Sequence, residues 1–255
     1  MRKFVISLAS ATDRRKHIES EFGKHNVNYE FFDALTPDLA KLYAERLSLD
    51  LASANLTPGE LACMMSHVAI WEKVIKENLA YATIFEDDIY LGDDAETLLN
   101  CDKWIKLDWH IVKIEAFTKK TYLSKDTHAV RDGKRYVTEL KGKNLGTAGY
   151  ILSLQGAKVY LEYIKKNALL PLDRLMFDDF INRSSEPVRQ LVPALCIQEM
   201  LLHKDNPYLP SALLTDRKCR MKMEKQKGFA KVNKEASRLM TQAKKALFAK
   251  EVPFI

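Results

Sequence analysis

Short apolar runs alternate with amphipathic segments through the first half of the chain, and this alternation limits the fold more than any other feature. Phe4 to Leu8 has the composition of a buried strand, and residues 13–24 follow with helical spacing of their apolar side chains. Val27 to Phe32 and Tyr81 to Phe85 predict two further strands. Such alternation favours an α/β fold around an open, largely parallel sheet, which binds ligands at the carboxyl ends of its strands.

A capping box predicts the start of a long helix. In Thr57-Pro58-Gly59-Glu60, the threonine occupies the N-cap and the glutamate lies three residues later. The helix should continue to about Glu77, with Glu60, Cys63, His67 and Trp71 on one face. The second half contributes further predicted elements, namely strands at 110–114, 147–152 and 189–197, a hairpin around Asp132-Gly133, and helices over 153–166 and 174–183.

Three consecutive carboxylates, Glu86, Asp87 and Asp88, follow the strand that ends at Phe85. Like charges this close raise one another's pKa and cost stability unless a cation or solvent offsets them. Apolar residues lie on both sides, so the triplet is expected to be partly desolvated. Carboxylates in such a place suit Mg²⁺ or Mn²⁺, which fills its remaining positions with water and substrate phosphates. From the residues alone, a solvated loop, nucleotide-dependent transfer and metal-assisted phosphoester hydrolysis all stay open.

Five strings occur along the chain in a characteristic order: VISLASATDRR (5–15), LTPGELACMMSHVAIW (56–71), EDD (86–88), GTAGYILSLQGA (146–157) and PLD (171–173). Together they resemble glycosyltransferase family 25, the bacterial lipopolysaccharide and lipooligosaccharide galactosyltransferases that are related to collagen galactosyltransferases. The resemblance implies a GT-A-type, Rossmann-like mixed sheet flanked by helices. It also implies inverting transfer of a hexose, usually galactose from UDP-galactose, to a saccharide or lipooligosaccharide acceptor.

In that family an acidic motif at the end of a strand holds Mn²⁺, or Mg²⁺, against the donor diphosphate. The resemblance therefore assigns Asp88 as the direct metal ligand, with Glu86 next and Asp87 on ribose or sugar. GT-A enzymes often supply a further metal or phosphate ligand late in the chain, where Gln198, Glu199 and His203 lie, and His203 is the residue expected to serve. This motif is EDD where many related enzymes carry a spaced Asp-x-Asp, so the division of labour within it stays open.

Other donor contacts are expected near the ends of the first two strands. Arg14 suits a phosphate, Ser7 and Leu8 could meet uracil or ribose through their backbone groups, and Asp33 could bind ribose. His67 belongs to the resembling motif and is expected near the donor. A solvated face for Arg14 and a packed, hydrogen-bonded core position for His67 are the structural alternatives.

The GTAGY loop is expected to shape the sugar site, with contacts from Thr147, Gly149 and Tyr150. Glycine permits close backbone approach to a ligand, although a tight turn into a strand would explain the glycines equally.

Inverting transfer also needs a carboxylate to accept the proton of the acceptor hydroxyl. Asp173 in PLD is the first candidate for this base, with Asp178 and Asp179 as rivals. Each of the three has a structural alternative as a helix N-terminal or surface acid.

The basic charge is concentrated at the end of the chain. Residues 216–255 contain 12 Lys/Arg and 4 Asp/Glu, which leaves 28 and 30 in residues 1–215. We therefore divide the chain into a catalytic domain, residues 1–215, and a basic amphipathic helical extension, residues 216–255. The apolar positions of this extension recur from Phe229 to Leu247. It could pack on the domain or dock on an anionic membrane surface.

Several classes of protein are not expected. No apolar run approaches the roughly 18 residues of a membrane span, and no reader motif for nucleic acid accompanies the basic charge. The four cysteines lack a CxxC pair, which favours reduced thiols in the cytoplasm. The sequence thus predicts a cytoplasmic enzyme, peripheral on the inner membrane if the extension docks there. A metal-dependent hydrolase of phosphoesters or nucleotide sugars and a catalytically silent carbohydrate-binding protein remain alternatives.

Overall fold

The strands and helices of the computed structural model follow the alternation seen in the sequence, within the described residues 1–204, 208–209, 220 and 249–255. The strands are β1 (Arg2–Ser7), β2 (Glu30–Asp33), β3 (Tyr81–Glu86), β4 (Ile89–Leu91), β5 (Ile111–Lys113), β6 (Glu115–Ala116), β7 (Lys120–Thr121), β8 (Leu123–Val130), β9 (Arg135–Leu140), β10 (Gly149–Ser153), β11 (Val188–Val192), β12 (Cys196–Gln198) and β13 (Lys250–Glu251). The helices are α1 (Thr12–Lys24), α2 (Pro37–Arg46), α3 (Pro58–Lys76), α4 (Ala95–Asn100), α5 (Leu154–Lys166), α6 (Leu172–Arg174), α7 (Phe180–Arg183) and α8 (Glu199–Leu202), with a π-helical turn at Leu175–Asp179.

Eight strands form a mixed central sheet in the order β2-β1-β3-β10-β5-β11-β9-β8. The strands β2, β1 and β3 are parallel to one another, as are β5 and β11, whereas β10 runs antiparallel between β3 and β5. This confirms a mixed α/β sheet. The sheet is less parallel than the alternation alone indicates, because β10 enters its centre in the opposite direction.

Register brings the ends of three strands to one edge of this sheet. Ser7 pairs with Asp33 across β1 and β2, and Ile6 pairs with Glu86 across β1 and β3. The antiparallel β10 starts beside them, with Gly149 opposite Phe85. The carboxyl ends of the parallel strands and the loop before β10 therefore meet at the position where open α/β sheets bind ligands.

Side chains of β1 alternate between two apolar layers, as the pleat of a strand requires. Phe4 and Ile6 belong to the core cluster on the α3 side, which also contains Trp71 and Tyr160. Val5 belongs to the cluster on the opposite face. The sheet is thus covered by helices on both faces, which fixes the strand ends that carry the acidic triplet.

The capping box predicted at residues 57–60 is confirmed. Thr57 Oγ1 accepts a hydrogen bond from the Glu60 backbone nitrogen at 3.2 Å, and Glu60 Oε2 accepts one from the Thr57 nitrogen at 3.0 Å. Arg220 also donates to both carboxylate oxygens of Glu60 at 2.9 Å. Glu60 therefore has the structural role that its spacing indicates, and it joins α3 to the late part of the chain.

Pro193 divides the strand expected over residues 189–197. The peptide between Val192 and Pro193 is cis, and the chain leaves the central sheet there. Beyond it, β12 joins β4 and β6 in a separate three-stranded sheet. Proline cannot donate to a ladder of backbone hydrogen bonds, which explains the break. The hairpin around Asp132-Gly133 is confirmed as β8 and β9, with positive φ at both residues.

Residues 249–255 pack back onto the domain. The strand β13 pairs with β7, and Val252 is buried. The amphipathic helix predicted from Phe229 to Leu247 lies outside the described residues, so its docking on a membrane stays a prediction. Among the described helices, none combines the length and the apolar character needed to cross a bilayer.

Gly149 offers a test of the packing between β10 and the second sheet. A Cβ added to it would lie 2.1 Å from Cys196 Sγ, so Gly149→Ala should lower the free energy of unfolding by about 1–3 kcal/mol through overpacking. The cost should shrink in a Cys196→Ala background. Gly23→Ala is the control, because its added Cβ meets nothing within 4 Å, and it should be neutral or stabilise α1 by up to about 1 kcal/mol. Equal urea midpoints for the two alanine variants would contradict the packing argument.

Candidate active site

Glu86 and Asp87 are held by different neighbours. Thr147 Oγ1 donates a hydrogen bond to Glu86 Oε1 at 2.6 Å, and Gln198 Nε2 donates to Glu86 Oε2 at 3.2 Å. Asp87 Oδ2 accepts from Ser7 Oγ at 2.7 Å, while the Arg14 guanidinium pairs with Asp87 Oδ1. The structure therefore separates the two acids and gives each a distinct set of donors.

Asp88 is buried, with 6% of its surface exposed. Its Oδ2 lies 3.6 Å from the Arg14 guanidinium, and its Oδ1 has no hydrogen-bond partner. Burial first, and then the charges of Glu86, Asp87 and Glu115, raise the pKa of Asp88 to about 7, against the opposing effect of Arg14. Arg14 and Lys113 face the four carboxylates of Glu86, Asp87, Asp88 and Glu115, so an excess of negative charge remains. Asp88 Oδ1, which has no hydrogen-bond partner, offers a ligand atom. A bound divalent cation fits this position because it would offset the negative charge and would also give Asp88 Oδ1 a partner.

Arg15 holds the end of the first strand together. Its guanidinium donates to the carbonyl oxygens of Ser7 and Leu8 at 3.1 and 3.2 Å, and it pairs with Asp33. Asp33 is exposed at the end of β2, and Leu8 is 43% exposed. The structure thus brings Ser7, Leu8, Arg14 and Asp33 to one edge, as the sequence predicts, but Arg14 faces the acids and Arg15 the backbone.

His67 and Tyr150 form a buried pair behind Glu86. The His67 Nδ1 lies 2.8 Å from the Tyr150 hydroxyl, which accepts a hydrogen bond from Trp71 Nε1 at 2.9 Å. Tyr150 is fully buried, and burial raises the pKa of its phenol well above the ordinary value. In this structure Tyr150, expected as a sugar contact, instead positions the imidazole of His67. The Nε2 of that ring faces Glu86 Oε1 at 3.8 Å.

A buried ion pair between Lys113 and Glu115 fixes the loop that carries Thr147. Lys113 Nζ donates to Glu115 Oε2 at 2.7 Å and to the Gly146 carbonyl at 2.5 Å, and the same glutamate oxygen accepts from the Ala148 nitrogen at 3.1 Å. Both side chains are fully buried. Gly146 has a φ of +91°, and a Cβ there would lie 2.5 Å from Glu115 Oε1. The glycine is thus required by this turn and by the ion pair.

Lys113 and Glu115 are not expected in the site from the sequence, whereas Gln198 is considered beside His203 as a late metal or phosphate ligand. A signal for the first two exists, because charged residues at alternate positions in the apolar run IVKIEAF are unusual for a buried strand. In the structure Gln198 donates a hydrogen bond to Glu86. Its role depends on β12 lying beside β4, where Gln198 pairs with Ile89.

The three acids proposed as catalytic base lie in the segment around α6 and α7. Asp173 is half-buried, and its Oδ1 accepts from the Arg174 nitrogen at 2.8 Å. Asp178 forms an ion pair with Lys143 at 3.2 Å. Asp179 accepts from the Tyr163 hydroxyl at 2.7 Å and pairs with an arginine of α7. Of the three, Asp173 is the acid for which the structure shows no ion pair with a described residue.

His203 is exposed after α8, and its ring packs edge-on against Tyr90 with 5.4 Å between the ring centroids. Within the part of the chain that the structure describes, the only three His, Cys, Asp or Glu residues whose ligand atoms all lie within 4.8 Å of one another are Cys63, His67 and Glu86. The ligand atoms of the predicted set, Asp88, Glu86 and His203, are therefore farther apart in this structure than those of Cys63, His67 and Glu86.

Sequence comparison identifies the family. Residues 1–176 match the model of glycosyltransferase family 25, described as an LPS biosynthesis protein. The lacto-N-neotetraose biosynthesis glycosyltransferase LgtB of Neisseria meningitidis serogroup B is 37% identical, over 88% of this chain and 86% of that protein. The lipooligosaccharide biosynthesis protein lic2B of Haemophilus influenzae is also 37% identical, with the same two coverages. The chain belongs to glycosyltransferase family 25.

Likeness to solved structures is much weaker. A glycosyltransferase involved in glycosylation of the major capsid of PBCV-1 has a TM-score of 0.36 at 10% identity, over 77% of this chain and 91% of that one. The family assignment therefore rests on sequence alone.

The buried ion pair predicts a pH-dependent loss of stability. Burial raises the pKa of Glu115 to about 7 despite the nearby Lys113, and Lys113→Met should raise it further. A carboxyl whose folded pKa is raised stabilises the protein below its unfolded pKa of about 4.5, and this contribution is lost as pH rises through the folded pKa. The variant should therefore be destabilised by about 3–5 kcal/mol at pH 8 and by less at pH 5, measured by urea unfolding.

Lys141→Met provides the matched control, because Lys141 also pairs with a glutamate two residues away, on the surface. It should change the unfolding free energy by less than about 1 kcal/mol at both pH values. A loss for Lys113→Met that is the same at both pH values would contradict the assignment.

Proposed function

We propose that this protein is an inverting, divalent-metal-dependent glycosyltransferase of the GT-A type. It moves a hexose, foremost galactose from UDP-galactose, to a saccharide acceptor in lipooligosaccharide biosynthesis. Membership of the family and the functions for which the relatives are named support the reaction class and the acceptor. The observation that carries the proposal is the buried Asp88, whose Oδ1 lacks a partner at the ligand-binding edge of the sheet.

Asp88 and Glu86 are the residues that would hold Mn²⁺ or Mg²⁺. When bound, such an ion neutralises charge that develops on the UDP leaving group, which is Lewis-acid catalysis. The structure supports the assignment of Asp88 through its unsatisfied oxygen and its raised pKa. Glu86 is kept in place by Thr147 and Gln198. The family's further ligand is proposed as His203, which lies exposed next to Tyr90.

The parallel strand ends provide the surface for the nucleotide. Ser7 and Arg14 hold the Asp87 carboxylate in one orientation, while the neighbouring Asp88 keeps one oxygen without a hydrogen bond. We assign Arg14 a second role beside the diphosphate, since a guanidinium can face both a carboxylate and a phosphate oxygen. Asp33 and the backbone at Leu8 lie on the outer side of the same edge, where ribose and uracil would extend.

The acceptor hydroxyl must lose its proton as its oxygen bonds to the anomeric carbon. Asp173 is proposed as the base, because it is half-buried and its described partner is a backbone nitrogen. Asp178 and Asp179 are each paired with a cation, which competes with the acceptor hydroxyl for the carboxylate oxygens. Asp178 remains the rival, since its lysine partner is a half-exposed side chain.

Asp88→Asn tests the metal assignment through two opposite effects. Transfer should fall by about 100-fold or more, because an amide is a poor ligand for a hard cation. The melting temperature of the metal-free protein should stay equal or rise, because the variant removes a buried charge that neighbouring acids repel. Asp132→Asn, at an exposed turn, should change neither quantity. An inactive variant that also melts much earlier would point to a structural role for Asp88 instead.

Asp173→Asn separates proton transfer from donor binding. The turnover number should fall by about 10²–10⁴-fold, the contribution of a general base, while the affinity for UDP with Mn²⁺, measured calorimetrically, should not change. Asp178→Asn should lose less than about tenfold, because that acid is tied to Lys143. The assignment of the base would be reversed if these two effects were exchanged.

A donor screen tests the reaction class. UDP release from UDP-galactose should require Mn²⁺ and should accelerate strongly on addition of a lactose-like or heptose-like acceptor, because a transferase completes its cycle only with an acceptor. Release that is equally fast without any acceptor would identify a hydrolase. The absence of metal-dependent UDP affinity would indicate a catalytically silent carbohydrate-binding protein.

A further inference from the structure

Helix α3 presents a sulfur and a nitrogen ligand to Glu86. Cys63 and His67 are four residues apart, so they lie on one helical face. Glu86 reaches that face from the end of β3. The ligand atoms of the three residues all lie within 4.8 Å of one another, and His67 Nε2 is 3.8 Å from Glu86 Oε1.

His67 has the orientation of a metal ligand. The side chain is fully buried, and its Nε2 has no hydrogen-bond partner. The other ring nitrogen is held at 2.8 Å by the Tyr150 hydroxyl, which Trp71 fixes in turn. Metal-binding histidines are oriented in this way, with one nitrogen hydrogen-bonded to a fixed neighbour and the other directed at the ion. In the tautomer whose Nδ1 carries the proton and donates a hydrogen bond to the Tyr150 oxygen, the Nε2 lone pair is directed at Glu86.

The three donors differ in kind from the oxygens around Asp88. Thiolate, imidazole and carboxylate together are the ligand types of Zn²⁺, whereas Mn²⁺ and Mg²⁺ favour oxygen ligands. Ligand atoms on a zinc tetrahedron are about 3.3–3.6 Å apart, as its bond lengths require. The observed separations, all within 4.8 Å, exceed these tetrahedral values by at most about 1.5 Å. Because Cys63 and Glu86 are only half-buried, an ion and a water ligand can reach the position.

We propose that Cys63, His67 and Glu86 form a zinc-binding site next to, and separate from, the position of Asp88. Zn²⁺ there would draw Glu86 away from Thr147 and Gln198 and from the catalytic cation. The site would therefore act as an inhibitory one, and this consequence, unlike the binding itself, rests on the proposed transferase activity.

Cobalt titration tests the binding without any assay of transfer. Co²⁺ added to the reduced, metal-free protein should produce the near-ultraviolet absorption of a thiolate-to-cobalt charge transfer, and Zn²⁺ should abolish it by replacing the cobalt. Cys63→Ser should lose this band. Cys101→Ser, which removes another half-buried thiol remote in sequence, should keep it. No band in the wild-type protein, or a band that persists in Cys63→Ser, would overturn the proposal.

Folding of each variant is checked by its circular dichroism melt. If Cys63→Ser is unfolded, then Cys63→Ala and His67→Gln replace it, and each should lose the band. A folded variant of either kind that keeps the full band would equally reject the site.

The inhibitory role is tested separately, in transfer reactions supplied with Mn²⁺. Added Zn²⁺ should reduce the rates of the wild-type protein and Cys101→Ser at least tenfold more than the rate of Cys63→Ser. Equal sensitivity of all three would remove the inhibitory role. If no protein transfers sugar under any condition, the proposed function fails while the cobalt result still decides the metal site.

Discussion

Negative charge concentrated at the end of β3 is the constraint on which the organisation of this edge depends. The strand β3 ends at Glu86 and the chain turns at Asp87 and Asp88, so the three acids meet different neighbours. Glu86 turns to a threonine and a glutamine, and Asp87 to Ser7 and Arg14. Asp88 keeps an unsatisfied oxygen. The surrounding protein thus satisfies two carboxylates with its own donors and leaves the third able to accept an external cation.

The loop before β10 connects this edge of the sheet to a buried ion pair in the core. Lys113 and Glu115 lie behind it, fully buried, and hold the backbone on both sides of Thr147. Breaking a buried ion pair leaves an uncompensated charge, so the pair resists separation even though its net contribution to stability can be small. The ion pair matters here because it fixes the position of Thr147, which donates a hydrogen bond to Glu86.

Features that depend on residues close together in the chain could be predicted from the sequence. The capping box of α3 and the positions of β1 and β3 follow from spacing and composition, and the triplet at the strand end follows from them. The direction of β10, the departure of β12 after Pro193 and the role of Gly149 do not. Each depends on which segments, distant in sequence, become neighbours, and hydrophobic patterning does not specify such pairing. For the same reason the sequence predicts that Tyr150, in a glycine-rich loop, contacts the sugar, whereas the structure buries it against α3.

The return of residues 249–255 to the domain closes the structure over Arg135. Lys250 and Glu251 are paired with β7, and the buried Arg135 donates to the carbonyl oxygens of Pro193, Ala194 and Ile255. Cutting the chain before residue 249 would therefore remove the Ile255 carbonyl acceptor and uncover a guanidinium that the fold has enclosed.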